Sequence, residues 1–180
     1  MILLRILFTL LITNTVVGNA FGQTSPKHGF LVSQHLVWNQ YYAGASYIGI
    51  FKNFGVEAGI QNEWTLTNFK YKRAFPGIEL QGFYRFKNLK KQHFLSAGIN
   101  LMYNTRNNMS RISGYDTRHQ RLNTGLFVQY EWEKDQFLLQ LSTGPAYQYN
   151  FAYNKTLQVN ENKGFITYWL QLSLGGIFTP

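Results

Sequence analysis

The sequence predicts an all-β chain: an eight-stranded antiparallel up-and-down transmembrane β-barrel. Three observations carry that expectation. Apolar residues alternate with polar or small ones through about eight segments, lysines keep to turns and loops, and aromatic rings collect at the ends of the apolar faces. The clearest segment runs from Phe165 to Phe178. There Ile166, Tyr168, Leu170, Leu172, Leu174 and Phe178 share one parity, and Thr167, Gln171, Ser173 and Gly175 fall between them. Successive strand side chains point to opposite faces, so this ribbon has one greasy side and one mostly polar side. It is longer than the roughly 5–6 residues of an ordinary strand and suits a tilted membrane-spanning strand of about 9–11.

Composition bounds the alternatives. At 180 residues the chain holds one domain, and only 14% of it is charged although mean hydropathy is −0.22, so its polarity comes mainly from Asn, Gln, Ser, Thr and Gly. With no cysteine, disulfides, thiolate metal sites, a thiol nucleophile and a cysteine lipid anchor are excluded. The four histidines share no ligand spacing, so no metal and no other cofactor is expected.

Taken in order, residues 1–22 read as a secretory signal peptide: Arg5, an apolar run from Ile6 to Val17, then Ala20-Phe21-Gly22. Residues 23–28 are a short linker, and 29–180 form the barrel. Phe30, Val32, Leu36 and Trp38 make the first apolar face. A loop is expected over 39–44, then a strand near 45–51 whose parity the alternation does not settle, then a tight turn at Lys52-Asn53. Val56, Ala58, Ile60 and Trp64 alternate with Glu57, Gly59, Gln61 and Glu63. A basic loop over 65–74 leads to Ile78, Leu80, Tyr84 and Phe86, interleaved with Glu79, Gln81, Phe83 and Arg85.

After a short link at 87–92 come Leu95, Ala97, Ile99, Leu101 and Tyr103. The longest loop, 104 to about 118, precedes Leu122, Leu126, Val128, Tyr130 and Trp132, and a short turn at 133–136 follows. Phe137, Leu139, Leu141, Pro145 and Tyr147 carry the seventh face, and a polar loop over 150–163 leads to the final strand. Links alternate short and long, the pattern of a closed meander with no edge left over.

A soluble barrel with a greasy cavity alternates in the same way. Lipid on the outside is favoured because the other parity is small (Gly55, Gly59, Gly98, Gly125, Gly144, Gly175, Ser96, Ser142, Ser173), as a narrow interior requires. Trp38, Trp64, Tyr84, Phe86, Tyr103, Tyr130, Trp132, Tyr147 and Phe178 form the rings expected at lipid–water boundaries. On this pattern, from Gly29 to Phe178, the chain resembles the small eight-stranded outer-membrane β-barrel proteins, the class of the OmpA transmembrane domain and OmpX, in a Bacteroidota-type form. The resemblance implies a bacterial outer-membrane location and a periplasmic N-terminus. It also implies a C-terminal aromatic, Phe178, read by the barrel-assembly machinery, although Thr179-Pro180 follow it. A soluble C-terminal domain to grip peptidoglycan is not expected.

Two places could carry function. Inside, Glu57, Arg85 and Glu131 point inward near one end, Glu63, His119 and Arg121 near the other, and Glu79 between. Buried charges are costly unless paired, so a Glu57–Arg85–Glu131 cluster is expected, as a polar plug or as the gate of a narrow pore. Outside, Lys70, Lys72, Arg73, Arg106, Arg111, Arg118, Lys155 and Lys163 fall in the predicted long loops of a chain whose net charge is +9. Such residues suit lipopolysaccharide phosphates, while solvated loops or a partner outer-membrane protein are the alternatives. Nucleic acid is not expected behind a signal peptide. A lipid A acyl hydrolase or transferase is the rival class, with His119, Ser110, Ser113 and Asp116 as its only set, and no His-x-Ser pair occurs. The expectation is a non-enzyme, with an accessory subunit of a larger complex as a further alternative.

Overall fold

A computed structural model describes residues 26–37, 40–64, 75–86, 92–109, 116–154 and 156–179. Residues 1–22, expected to be a signal peptide, lie outside them. Eight strands follow one another: β1 (Lys27–Val37), β2 (Gln40–Phe51), β3 (Phe54–Trp64), β4 (Phe75–Arg85), β5 (His93–Met109), β6 (Asp116–Lys134), β7 (Phe137–Asn154) and β8 (Val159–Phe178). Each pairs antiparallel with the next, and β8 pairs with β1, which closes the barrel.

The parity decides what faces where. Leu80, Leu101, Leu126 and Leu172 stand exposed on the outer wall, while Glu57, Gln81, Ser96, Gln129, Gln140 and Gln171 are buried inside. The ambiguous second strand turns Tyr42, Ser46, Ile48 and Ile50 inward. An outer wall of this composition belongs against hydrocarbon, because water meeting it would cost about 25 cal/mol per Å² of apolar surface.

The interior also holds large rings. Following strand pairs from Lys27 through Ile50, Gly55, Phe83, Gly98 and Phe127, then Gly144 and Trp169, returns to β1 at Val37, a stagger of ten residues. This spiral row alternates bulk with glycine. A Cβ on Gly55 would lie 2.0 Å from the Phe83 ring, and one on Gly98 would lie 2.7 Å from the Phe127 ring and 2.2 Å from the Gly82 carbonyl oxygen. Each glycine is therefore the space its neighbour's ring fills, as close packing demands. Phe127 and Trp169 meet edge to face at 5.6 Å.

At the seam between the first and last strands, Gly29 and Gly175 bring backbones close: a Cβ would fall 2.4 Å from the Gly176 carbonyl oxygen and 1.9 Å from that of Phe30, respectively.

Three expected loops are largely strand. β2 begins at Gln40, which pairs with Val37, so little of 39–44 is loop. β5 and β6 continue their ladder to the Met109–Asp116 pair, and β7 and β8 theirs to Asn154–Val159. In the outer stretches of β5, β6 and β8 the apolar alternation fades while backbone pairing goes on, and β7 keeps outward rings as far as Tyr153. Lys163 accordingly lies within β8, and Arg106 and Arg118 lie on strands, contrary to their assignment to loops.

Candidate functional site

Two polar networks fill the lower and middle lumen, one inward residue apart along β4. Gln81 belongs to the upper network, Arg85 to the lower, and Phe83 of the ring row stands between. In the upper network Glu79 Oε1 accepts hydrogen bonds from Gln81 Nε2 (2.8 Å) and Asn100 Nδ2 (2.9 Å). Glu79 Oε2 lies 3.2 Å from His35 Nε2, which is also 2.9 Å from Ser33 Oγ. Gln81 Nε2 donates to Gln171 Oε1 at 2.7 Å, and Gln171 Nε2 to Ser173 Oγ at 3.0 Å. β4 and β8 are diametrically opposed in an eight-stranded ring, so the Gln81–Gln171 bond spans the lumen.

The lower network is ionic. Arg85 donates to Glu131 Oε2 through Nε (3.0 Å) and Nη2 (2.5 Å), and to Glu133 Oε2 through Nη1 (3.2 Å). Ser96 Oγ donates to the other Glu131 oxygen, and Lys27 Nζ pairs with Glu133. The guanidinium also lies 4.5 Å above the Phe94 ring. A pair this buried holds together only when hydrogen bonds satisfy the remaining oxygens, and here they do.

The expected Glu57–Arg85–Glu131 cluster thus divides. Glu57 sits beside Gln81, four residues along β4 from Arg85, and accepts a 2.5 Å hydrogen bond from Ser46 Oγ. Glu133, a turn residue by its sequence, takes the place beside Arg85 instead. His35 shares the inward parity of Leu31 and Ser33 and joins the upper network, a place that its sequence neighbourhood does not mark. Glu57 Oε2, Gln81 Oε1 and His35 Nδ1 are buried and have no hydrogen-bond partner among the described residues.

Arg121 is half-buried on the inward parity of β6, beside Asn150. Glu63, His119, Arg106 and Arg118 have strand backbones but side chains outside the described residues. Lys70, Lys72, Arg73, Arg111 and Lys155 lie outside them entirely, as do Ser110 and Ser113. Lys163 is exposed, as is Phe178, the last residue of β8. No cluster of three metal-ligating side chains occurs among the described residues.

On the outer wall, aromatic rings mark two levels. At the end where β1 begins and β8 finishes, Phe54 meets Tyr84 at 5.1 Å, Tyr84 meets Phe86 at 5.6 Å, and Trp132 meets Phe137 at 5.7 Å. Tyr103 and Tyr147 each stand ten residues along their strands from His93 and Phe137, and Tyr168 stands ten from Phe178. With a rise of ~3.4 Å per residue and a tilt of ~40°, that separation is about 26 Å, close to the ~25 Å apolar band of spanning barrels.

No protein-family model and no curated sequence matches the chain. Solved structures do. The N-terminal β-barrel domain of Pseudomonas aeruginosa OprF is similar with a TM-score of 0.57 at 12% identity, over 86% of this chain and 98% of that one. A major outer membrane protein from Thermus thermophilus gives 0.52 at 10% identity, over 86% and 99%. The fold is that of outer-membrane β-barrels.

Proposed function

We propose that this chain is a non-enzymatic protein of the bacterial outer membrane. Its lumen is a plug, and its long strands project outward to hold lipopolysaccharide through basic residues. The observation that carries the plug is the Gln81–Gln171 bond across the full diameter, backed by Arg85 bridging Glu131 and Glu133 beneath it. Interiors of eight-stranded barrels are narrow enough for side chains to fill. The lipopolysaccharide contact is supported by Arg118, which stands opposite Tyr153 on the outward parity of β6, and by the excess of Lys and Arg in the segments expected to be long loops. Phosphates of the outer leaflet are their natural partners.

Planar-bilayer recording tests the plug: no steady conductance is expected from the wild type, and a roughly tenfold rise for Arg85→Ala over a leaky wild type would instead make the network a gate. Binding of lipopolysaccharide to the barrel in nanodiscs tests the contact. Affinity is expected to fall with added salt, with dephosphorylation of the lipid and in Arg118→Ala; indifference to all three would overturn it. Phe178 serves as the assembly signal, so Phe178→Ala is expected to slow membrane insertion.

A further inference from the structure

We infer that the outward face of the β6–β7–β8 ribbon, above the lipid-facing band, is a binding site for neutral hexose sugars, those of the outer-leaflet glycolipid that surrounds the barrel. The inference shares with the preceding reading only the placement of this ribbon on the outer side; it uses no basic residue.

The residues form a row of rings with amides beside them. Phe151 is flanked by its cross-strand partners Gln120 of β6 and Asn162 of β8, and Tyr153 by Arg118 of β6 and Asn160 of β8. Partners directly opposite on one face hold their Cβ atoms about 4.5–5.5 Å apart, within reach of one bound ring. Phe151, Tyr153, Asn160 and Asn162 are all exposed, and with Gln120 they line a depression of about 380 Å³. Tyr149 packs edge-on against Phe151 with centroids 4.4 Å apart, which fixes that ring. Gly164, opposite Tyr149, gives these rings room to lie across β8; a Cβ there would fall 2.0 Å from Tyr147 Oη and 3.2 Å from the Tyr149 ring.

Height decides what these rings meet. Phe151 lies fourteen residues along β7 from Phe137, about 36 Å up by the same rise and tilt, so it stands above a ~25 Å apolar band. Phenylalanine has no polar tip, so anchoring at the lipid boundary, which suits Tyr and Trp, does not account for it there. The polarity is also one-sided. On the opposite parity of β7 stand Gln148, Asn150, Ala152 and Asn154, with no ring among them. A pyranose presents a C–H face that packs on an aromatic ring and an equatorial rim of hydroxyls that both donate and accept. A ring set between amides, each with two donors and an acceptor oxygen, matches both features, and the Gln120–Phe151–Asn162 row carries no charge, which matches a neutral sugar, the nearest cation by register being Arg118 opposite Tyr153.

The test is titration of the folded barrel in nanodiscs with a panel of soluble sugars, followed by saturation-transfer NMR and calorimetry. The panel is lipopolysaccharide core oligosaccharide, delipidated and dephosphorylated, together with neutral hexose oligosaccharides. Binding is expected that does not weaken with added salt and that falls about tenfold in Phe151→Ala and in Asn162→Ala. Both variants should keep heat-modifiable gel mobility, and Lys163→Ala should bind as the wild type does. If no panel member binds the wild type, or both variants bind equally well, the inference fails. Intact lipopolysaccharide bound in a salt-dependent way without any sugar binding would overturn this site alone. Sugar binding accompanied by intact lipopolysaccharide binding that is indifferent to salt, to dephosphorylation and to Arg118→Ala would overturn the basic-residue reading alone.

Discussion

The two polar networks of the lumen solve the same burial problem differently. Around Arg85 every carboxylate has a cationic partner: Glu131 and Glu133 share the guanidinium, and Lys27 completes Glu133. Above the ring row, Glu79 is well supplied with donors, but Glu57 beside it has one oxygen bonded to Ser46 and the other without a partner among the described residues. The lower network is a closed set in which each member's loss strands another. The upper one is a set of neutral amides around two carboxylates, where bonds can be exchanged. The contrast teaches that one layer locks the lumen and the other only fills it.

The sharpest way to break this contrast is Arg85→Ala, which leaves the buried Glu131 without its cation and Glu133 with Lys27 alone. A loss of about 3–5 kcal/mol is expected in urea unfolding from detergent micelles, and a loss below ~1 kcal/mol would remove the distinction between the layers. Next comes the glycine row. Gly98→Ala puts a methyl against the Phe127 ring and the Gly82 carbonyl and should cost about 1–3 kcal/mol, whereas Gly82→Ala, which meets nothing within 4 Å on the outer wall, should be within ~0.5 kcal/mol of wild type. Equal effects would show that the rings do not need the glycines. The smallest effect is expected from Glu57→Gln, which keeps a group able to accept from Ser46 and removes a charge. Unfolding free energy should change by less than about 1 kcal/mol or rise, and a loss as large as that of Arg85→Ala would mean that Glu57 belongs to the locked set.

Much of the barrel was legible because lipid outside and a narrow space inside impose opposite demands on alternate residues. The final strand shows this best: every residue from Ile166 to Phe178 on the apolar parity faces outward, apart from Gly176, which has no side chain. β2 was illegible because Gly44, Ala45 and Gly49 carry little polarity on either parity. Strand beyond the band was illegible for another reason. Arg118 to Gln120 and Asn160 to Lys163 are polar on both parities, so no hydrophobic pattern marks a ladder that the backbone continues. Within the lumen, parity told that Glu79 and Arg85 point inward but not which wall they would meet. The pairings of His35 and Glu133 were hidden because they depend on the ten-residue stagger, which no local pattern records.

The glycines where β1 meets β8 bear on how such a cylinder is made. These two strands are separated by the whole length of the chain, so their pairing is the most distant contact and waits on all the others. Gly29 and Gly175 let the two main chains slide into register with no protruding group to thread past another. A substituted seam would be expected to stall as an open, curled sheet, and the rate of closure, more than the final stability, is where such a defect would register.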